Sequence, residues 1–313
     1  MSRAALAVAL ALSVLTLSVI AGEAVMLAVH RAAARGWLVR RGPRTRAGLL
    51  AQARMASLSL AAVFVPLVLA AFWRFEPADA AETTGFVLPG LAAIGSGLVA
   101  VITRRAWRTL RATRALGRAW RSAGERASIA GWPGRAWIVT TPFPVVAVVG
   151  WWRPELFVAR AVVAGCTPSE IAVIAAHERA HVARHDNLTR MAFALTPDLS
   201  GAGERLERAW SEAAETLADL SARRTGDGVA LAQALTRVAR MATGPAPAWP
   251  VSALIDAGAI DTRVRRLLLP AEDAGRPADG LPTLALVPAA VLTVLLALPV
   301  VYEAAEWLVG LGR

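Results

Sequence analysis

The chain of 313 residues contains a single cysteine, a single tyrosine and four histidines. One cysteine, Cys166, excludes an intramolecular disulfide and a zinc cluster built from several thiolates. The only tyrosine, Tyr302, lies in a long apolar stretch near the C-terminus, so a tyrosine donor in the polar part of the chain is excluded. The chain also lacks a Ser-x-x-Lys motif, which excludes acylation chemistry of that type.

Long apolar stretches are, in contrast, abundant. Apolar residues make up 56% of the chain and the mean hydropathy is +0.49, values typical of a membrane protein. Four stretches are long enough to cross a bilayer as helices, at about 4–29, 55–73, 83–103 and 280–302. The first could instead be a cleaved signal peptide, although its apolar run continues past Glu23.

These stretches divide the chain into three regions. Residues 1–103 form an N-terminal membrane region with three spans, and residues 280–313 form a fourth span with a short tail. The polar region 104–279 is large enough for one domain core and is mostly helical, with a strand-like part at 136–163. The predicted fold is mostly α, a four-span helical membrane protein with an α+β domain inserted between spans three and four.

Arginines are concentrated in the first and third loops, whereas the second loop is acidic, with Glu76, Asp79 and Glu82. By the positive-inside rule, the domain 104–279 faces the cytoplasm and both termini are external. Tryptophan and leucine interleaved with the arginines after residue 104 fit a helix lying on anionic lipid better than a nucleic-acid interface. We therefore expect the lipid bilayer as a partner and no direct contact with nucleic acid. The arginines are Arg31, Arg35, Arg40, Arg41, Arg44, Arg46 and Arg54 in the first loop, and Arg104, Arg105, Arg108, Arg111, Arg114, Arg118 and Arg121 in the third.

The strongest chemical signal is a His-Glu-x-x-His motif that begins at His177 and ends at His181. On a helix these two histidines lie on one face and can bind one metal ion. Glu178 follows His177 on the same helix and lies beside the metal position, where its carboxylate can accept a proton from water at the metal. The alternative is a surface helix whose two histidines bind no metal ion. His185 follows His181 at the same spacing of four residues. Because a helical turn has 3.6 residues, His185 lies further round the helix, away from the ligand face, and we expect it to be a neighbour and not a ligand.

Residues before the motif predict where this helix starts. Thr167, Pro168 and Glu170 match a capping box with proline at the first helical position.

The residues after the motif exclude one subclass of zinc protease. A metzincin would need glycine at position 184 and histidine at position 187, where the chain has Arg184 and Asn187. That subclass is therefore excluded.

A catalytic zinc ion needs a third protein ligand. Three acidic residues on a later helix-like segment are candidates, namely Glu207, Glu212 and Glu215. Of these, Glu215 has an aspartate, Asp219, one turn further on. An aspartate at this position could accept the second N–H of a ligand histidine and fix its tautomer.

The segments HERAHVARHDN, from His177 to Asn187, and ETLAD, from Glu215 to Asp219, resemble those of a known family. They are similar to the Glu-x-x-(Ala/Cys)-Asp gluzincins, specifically the BlaR/MecR-type integral membrane metallopeptidases. The HtpX-like membrane proteases share both motifs. The resemblance covers about residues 135–269 and the layout of the spans. It implies one zinc ion per chain, with His177, His181 and Glu215 as ligands, Glu178 as general base and Asp219 as a supporting carboxylate.

The resemblance implies a membrane-embedded zinc metalloendopeptidase in the cell (inner) membrane, with a regulatory role. Its protein substrate would be cytoplasmic or membrane-proximal, such as a transcriptional repressor of the BlaI/MecI type. The sequence predicts no C-terminal penicillin-binding sensor domain, because few residues follow Tyr302. Two alternatives stay open: an HtpX-like quality-control protease, and a non-enzymatic zinc-binding membrane receptor or scaffold. The oligomeric state is not predicted.

Overall fold

The computed structural model describes residues 2–38, 40–76, 85–225, 228–242, 260–268 and 299–311. Within these ranges the chain is mostly helical with one small sheet, as predicted. Three of the helices are long and apolar enough to cross a membrane. Most of the predicted fourth span lies outside the described residues, so the four-span layout stays a prediction.

The first three predicted spans correspond to helices α1, α3 and α4. The N-terminal helices are α1 (Arg3–Ala34), α2 (Pro43–Arg54), α3 (Ala56–Phe75) and α4 (Val87–Ala123). Helix α4 does not end at residue 103, because the following arginines, alanines and leucines have high helix propensity and no proline interrupts them. The predicted surface helix after residue 104 is therefore a continuation of the third span. Its side chains Leu116 and Trp120 pack against the core of the polar domain.

Close packing of small residues joins the three apolar helices. A Cβ atom added to Gly22 of α1 would lie 2.3 Å from Ser57 Oγ of α3, and one added to Gly95 of α4 would lie 2.3 Å from the carbonyl oxygen of Leu12. Such contacts are typical of helices that associate in lipid, where close approach replaces the hydrophobic effect. Thr16 Oγ1 of α1 also donates a hydrogen bond to a carbonyl oxygen of α4 at 2.9 Å.

The last described residues, 299–311, pack at one end of this bundle. Tyr302 Oη donates a hydrogen bond to Glu76 Oε2 at the end of α3, at 3.0 Å. The N–H of Gly85, just before α4, donates to the carbonyl oxygen of Val309 at 3.0 Å. The polar domain is attached at the other end of α3, near Arg54.

The polar domain combines a four-stranded sheet with six helices among the described residues. Its strands are β1 (Gly124–Ala127), β2 (Ala136–Val139), β3 (Val146–Val149) and β4 (Glu155–Ala159), and its helices are α5 (Arg160–Gly165), α6 (Pro168–Ala183), α7 (Asp186–Leu195), α8 (Ala202–Thr225), α9 (Gly228–Met241) and α10 (Ile260–Leu268). The strand order is β1-β2-β4-β3, with β2 and β4 parallel and the two outer pairs antiparallel. Three strands within the strand-like region at 136–163 are therefore confirmed, whereas residues 160–163 belong to α5 and β1 lies before the predicted region. The sheet packs with α6 and α9 around one core.

Helix α6 starts with the predicted capping box. The N–H of Glu170 donates to Thr167 Oγ1 at 3.2 Å, and the N–H of Thr167 donates to Glu170 Oε2 at 2.7 Å. The other oxygen of Glu170 forms an ion pair with Arg237 of α9 at 3.3 Å. Since Glu170 is buried, these contacts fix the start of the helix that carries the His-Glu-x-x-His motif.

Candidate metal centre

Three buried side chains direct their ligand atoms to one point between α6 and α8. His177 Nε2 and His181 Nε2 are 3.1 Å apart. Glu215 of α8 lies 3.3 Å from the first nitrogen through Oε2 and 3.4 Å from the second through Oε1. The exposed fractions of the three residues are 0%, 4% and 8%. Within the described part of the chain, these side chains form a group that could hold a metal ion.

The separations of these atoms fit a zinc ion. Zinc bonded tetrahedrally to nitrogen and oxygen at about 2.0–2.2 Å places neighbouring ligand atoms about 3.3–3.6 Å apart. The three observed separations lie at or just below this range, so small rotations of the side chains would suffice. Two imidazole nitrogens with lone pairs at 3.1 Å also repel each other unless a proton or a cation lies between them.

The local sequence explains why these atoms meet. On α6, the spacing of four residues stacks the two histidines on one face. On α8, small alanines occupy the buried positions around the glutamate, including Ala214, Ala218 and Ala222. Alanine at these positions allows the two helices to approach closely enough for Glu215 to reach both histidines.

An aspartate lies behind each ligand histidine. Asp219 Oδ1 is 3.0 Å from His177 Nδ1, at ion-pair distance, although the N–H is not well aligned with it. Asp186 Oδ2 is 2.6 Å from His181 Nδ1. A carboxylate in this position favours the tautomer with a proton on Nδ1, which leaves Nε2 free to bind metal. The contact of Asp219 agrees with the prediction from sequence, whereas Asp186 was not predicted.

An arginine in turn contacts each of these aspartates. Arg184 Nη2 donates to Asp186 Oδ2 and, at 2.9 Å, to the carbonyl oxygen of Ala214 on α8. Arg263 of α10 donates to both oxygens of Asp219, at 2.9 and 2.7 Å. Neither arginine was recognised from the sequence. The His-Asp-Arg arrangement therefore occurs twice, once behind each ligand.

Glu178, the predicted general base, is 2% exposed on α6 beside the ligands. Among the residues that the structure describes, its carboxylate forms no hydrogen bond and no ion pair. Burial raises the pKa of Glu178 above its ordinary value, although the neighbouring histidines act in the opposite direction. A carboxylate with this combination of properties is suited to accept a proton.

The charges of the ligands depend on one another. Burial disfavours the charged form of His181, but Glu215 and Asp186 outweigh this effect and raise the pKa of His181 to about 9. Burial likewise disfavours the charged form of Glu215, but His181, His177 and Arg263 hold its pKa well below the ordinary value. The metal-free centre therefore attracts protons, which a metal ion would have to displace.

The other candidate residues lie away from this point. Glu207 is 4.0 Å from Arg54, and Glu212 is 3.6 Å from Arg46, with its side chain 65% exposed. His185 is exposed at the turn between α6 and α7 and is not part of the metal group. Of the three acidic candidates on α8, the structure therefore brings only Glu215 to the two histidines.

The connection between α7 and α8 is bonded to residues of α1, α2 and α4. Glu23 of α1 accepts the N–H groups of Leu199 and Ser200 at 3.2 and 2.9 Å. Arg54, the last residue of α2, donates to the carbonyl oxygen of Phe193 at the end of α7 at 2.8 Å and to that of Thr196 at 3.1 Å. Arg105 of α4 also donates to the carbonyl oxygen of Thr196, at 3.5 Å. The helix that carries Glu215 thus begins at a segment fixed by these helices.

Two surfaces beside the centre could contact a substrate. A cleft of about 650 Å³ reaches Glu215 and is lined by α7, α8 and α10, with charged residues that include Arg190 and Arg266. Strand β3 is an edge of the sheet, but the Asn187 side chain already donates to the carbonyl oxygens of Val148 and Gly150. The cleft is therefore the more accessible of the two.

Comparison of the whole chain with known protein families finds no matching family model, and no curated protein matches it. The likeness to the BlaR/MecR-type metallopeptidases thus rests on the two short motifs and the predicted span layout.

Proposed function

We propose that the protein is a membrane-embedded zinc metalloendopeptidase that cleaves a cytoplasmic or membrane-proximal protein. The observation that carries this proposal is the buried group of His177, His181 and Glu215 with Glu178 beside it. Two histidines, a distant glutamate and an adjacent carboxylate form the ligand and base set of a zinc hydrolase.

Each residue of the group has a distinct part in hydrolysis of a peptide bond. A bound zinc ion would polarise the scissile carbonyl and make a water molecule more acidic. Glu178 would accept the proton of the attacking water and later deliver it to the nitrogen of the leaving amine. Its raised pKa makes it a stronger base than an exposed glutamate. Asp219 and Asp186 would keep the two ligand histidines in the tautomer that exposes Nε2.

The number of ligands supports a catalytic site over a structural one. Structural zinc sites are normally closed by four protein ligands, whereas catalytic sites keep one position for water or substrate. The part of the chain that the structure describes supplies three ligands at this centre. This count favours the protease over a receptor or scaffold with structural zinc.

Removal of the general base tests the proposal directly. The Glu178→Gln variant of the full-length chain, purified in detergent, should retain about one zinc ion per chain and lose about 10²–10⁴-fold in proteolytic rate. A matched control is Glu125→Gln, since the Glu125 side chain on β1 is 73% exposed, pairs with Arg160 and does not line the cleft. Near-normal proteolysis by Glu178→Gln would exclude Glu178 as the base, and a wild-type chain without zinc would refute the proposed function.

The cellular side of the proposal rests on the charge distribution and the family resemblance. The polar domain is attached at the end of the bundle where the basic loops lie, which supports a cytoplasmic location under the positive-inside rule. A reporter fused after Arg224 should behave as cytoplasmic, and one inserted at Ala80 as external. The reverse result would contradict both the orientation and a cytoplasmic repressor as substrate.

A regulatory protease and a quality-control protease differ in their number of substrates. By resemblance, the substrate is a repressor of the BlaI/MecI type, whose cleavage would derepress transcription. Proteomics of a deletion strain should then show one or a few stabilised proteins. Stabilisation of many membrane proteins would instead support the HtpX-like alternative.

A further inference from the structure

Helix α10 inserts one arginine into the interior of the polar domain. Arg263 is 3% exposed, and its Nε and Nη2 bind the two oxygens of Asp219 at 2.9 and 2.7 Å. Its Nη1 lies 3.2 Å from Glu215 Oε2. A buried guanidinium is stable only when its charge and N–H groups are satisfied, and these two carboxylates provide for both.

We propose that Arg263 is a positioning residue of the metal centre, acting through Asp219 and Glu215. The inference rests on the proposed function, because it assumes that the centre binds a metal ion. The two parallel hydrogen bonds to Asp219 fix the plane of a carboxylate that lies 3.0 Å from His177 Nδ1. Arg263 therefore orients a ligand histidine without touching it.

The contact with the third ligand has a separate consequence. Arg263 engages Oε2 of Glu215, the oxygen that lies 3.3 Å from His177 Nε2. With Oε2 held by the guanidinium, Glu215 would offer Oε1 to a metal ion as a single donor atom. Catalytic zinc sites keep one position for water or substrate, and a single donor atom from Glu215 would be compatible with this.

The net charge of the centre makes it possible to distinguish a positioning role of Arg263 from a purely electrostatic one, because the two predict opposite changes in metal affinity. When all groups are ionised, the carboxylates contribute −4 and the guanidiniums +2, a balance of −2 that matches a divalent ion. If Arg263 acted through its charge alone, its removal would strengthen metal binding. If it positions the ligands, its removal weakens metal binding. The groups counted are Glu178, Asp186, Glu215 and Asp219, with Arg184 and Arg263.

The experiment measures metal binding to the full-length chain in detergent. Metal-free protein is titrated with Zn²⁺ against a chromophoric chelator, and Co²⁺ is added separately to record the visible spectrum of the ligand field. Arg263→Met should lower Zn²⁺ affinity by about 10- to 100-fold and alter the Co²⁺ spectrum. Arg263→Lys keeps the charge but cannot form the two parallel bonds, so it should recover only a small part of the affinity.

A double variant tests whether Arg263 acts through Asp219. The combination of Arg263→Met with Asp219→Asn should lose little more affinity than the larger of the two single losses, because both interrupt one chain of contacts. The matched control is Arg265→Met on the same helix, where the side chain is 76% exposed and pairs with Asp261. This control should leave affinity and spectrum unchanged.

Several outcomes would overturn the inference. These are unchanged or tighter Zn²⁺ binding by Arg263→Met, full recovery by Arg263→Lys, or fully additive losses in the double variant. If Arg263→Met fails to fold, as judged by circular dichroism of the metal-free protein, the Arg263→Lys variant decides. A wild-type chain that binds no Zn²⁺ refutes the proposed function, whereas normal wild-type binding with unaffected variants refutes only the role of Arg263.

Discussion

Substitution of Asp186 should weaken metal binding although Asp186 is not itself a ligand. Its Oδ2 lies 2.6 Å from His181 Nδ1 and is buried, with 4% of the residue exposed. A hydrogen bond to a charged group contributes about 1.5–3 kcal/mol. Because about 1.4 kcal/mol corresponds to a tenfold change in affinity, its loss should reduce Zn²⁺ affinity by about 10- to 100-fold.

Two substitutions at this position separate charge from geometry. The Oδ2 atom of Asp186 receives hydrogen bonds from both His181 and Arg184. Asp186→Asn retains an oxygen that can occupy this position but removes the charge, so we expect a loss near tenfold. Asp186→Ala removes the oxygen as well and allows the imidazole to rotate or to change tautomer, so we expect a loss near 100-fold.

The assay is competition for Zn²⁺ with a chromophoric chelator on the full-length chain in detergent. Asp261→Asn is a suitable control, because the Asp261 side chain is 81% exposed and pairs with the exposed Arg265 on the same helix. Wild-type affinity in Asp186→Ala would show that the 2.6 Å contact does not orient the ligand. An equal loss in both variants would show that the charge alone matters.

Two further predictions concern the third ligand and the apolar bundle. Glu215→Ala should lose zinc and activity, whereas Glu212→Ala should retain at least part of both. Metal content and proteolysis measure the two properties. Stoichiometric zinc in Glu215→Ala would exclude Glu215 as a ligand. Gly95→Leu should lower the free energy of unfolding in detergent by about 1–3 kcal/mol or more, because its side chain would meet the backbone of Leu12. Gly97→Leu is the control, since in the described part of the chain no atom beyond the local helix backbone lies within 4 Å of a Cβ there. Equal loss in both variants would contradict this account of the packing.

The sequence predicted those features of the centre that depend on local spacing. The stacking of His177 and His181 follows from helical geometry, and the capping box at Thr167 fixes where that helix begins. Glu215 could be selected because an aspartate follows it at helical spacing. The length of the apolar stretches also predicted the three helices that could cross a membrane, since such helices need no tertiary information to be recognised.

Asp186, Arg184 and Arg263 could not be predicted, because their contacts depend on tertiary packing or on a break in the helix. Asp186 reaches back to His181 because His185 adopts a left-handed conformation with φ of 57°, which ends α6 and turns the chain. That conformation is uncommon for a residue with a side chain. Arg263 lies on a different helix, α10, far from Asp219 in the sequence. The aspartate and arginine behind each of the two histidines are therefore brought together by the packing of the helices.

The position of Glu215 depends on the apolar helices as well as on α6. Helix α8 starts directly after the segment that Glu23, Arg54 and Arg105 hold, and the same helix carries Glu215. The predicted boundary of the polar domain at residue 104 lies inside α4, so two of these three partners belong to the part of the chain before that boundary. Buried Arg54 also donates to the end of α7, the helix that begins with Asp186. Glu215 and Asp186 are thus on helices, α8 and α7, whose adjoining ends are bonded to residues of α1, α2 and α4. The geometry of the centre therefore depends on residues of α1 and α2 and cannot be assigned to residues 104–279 alone.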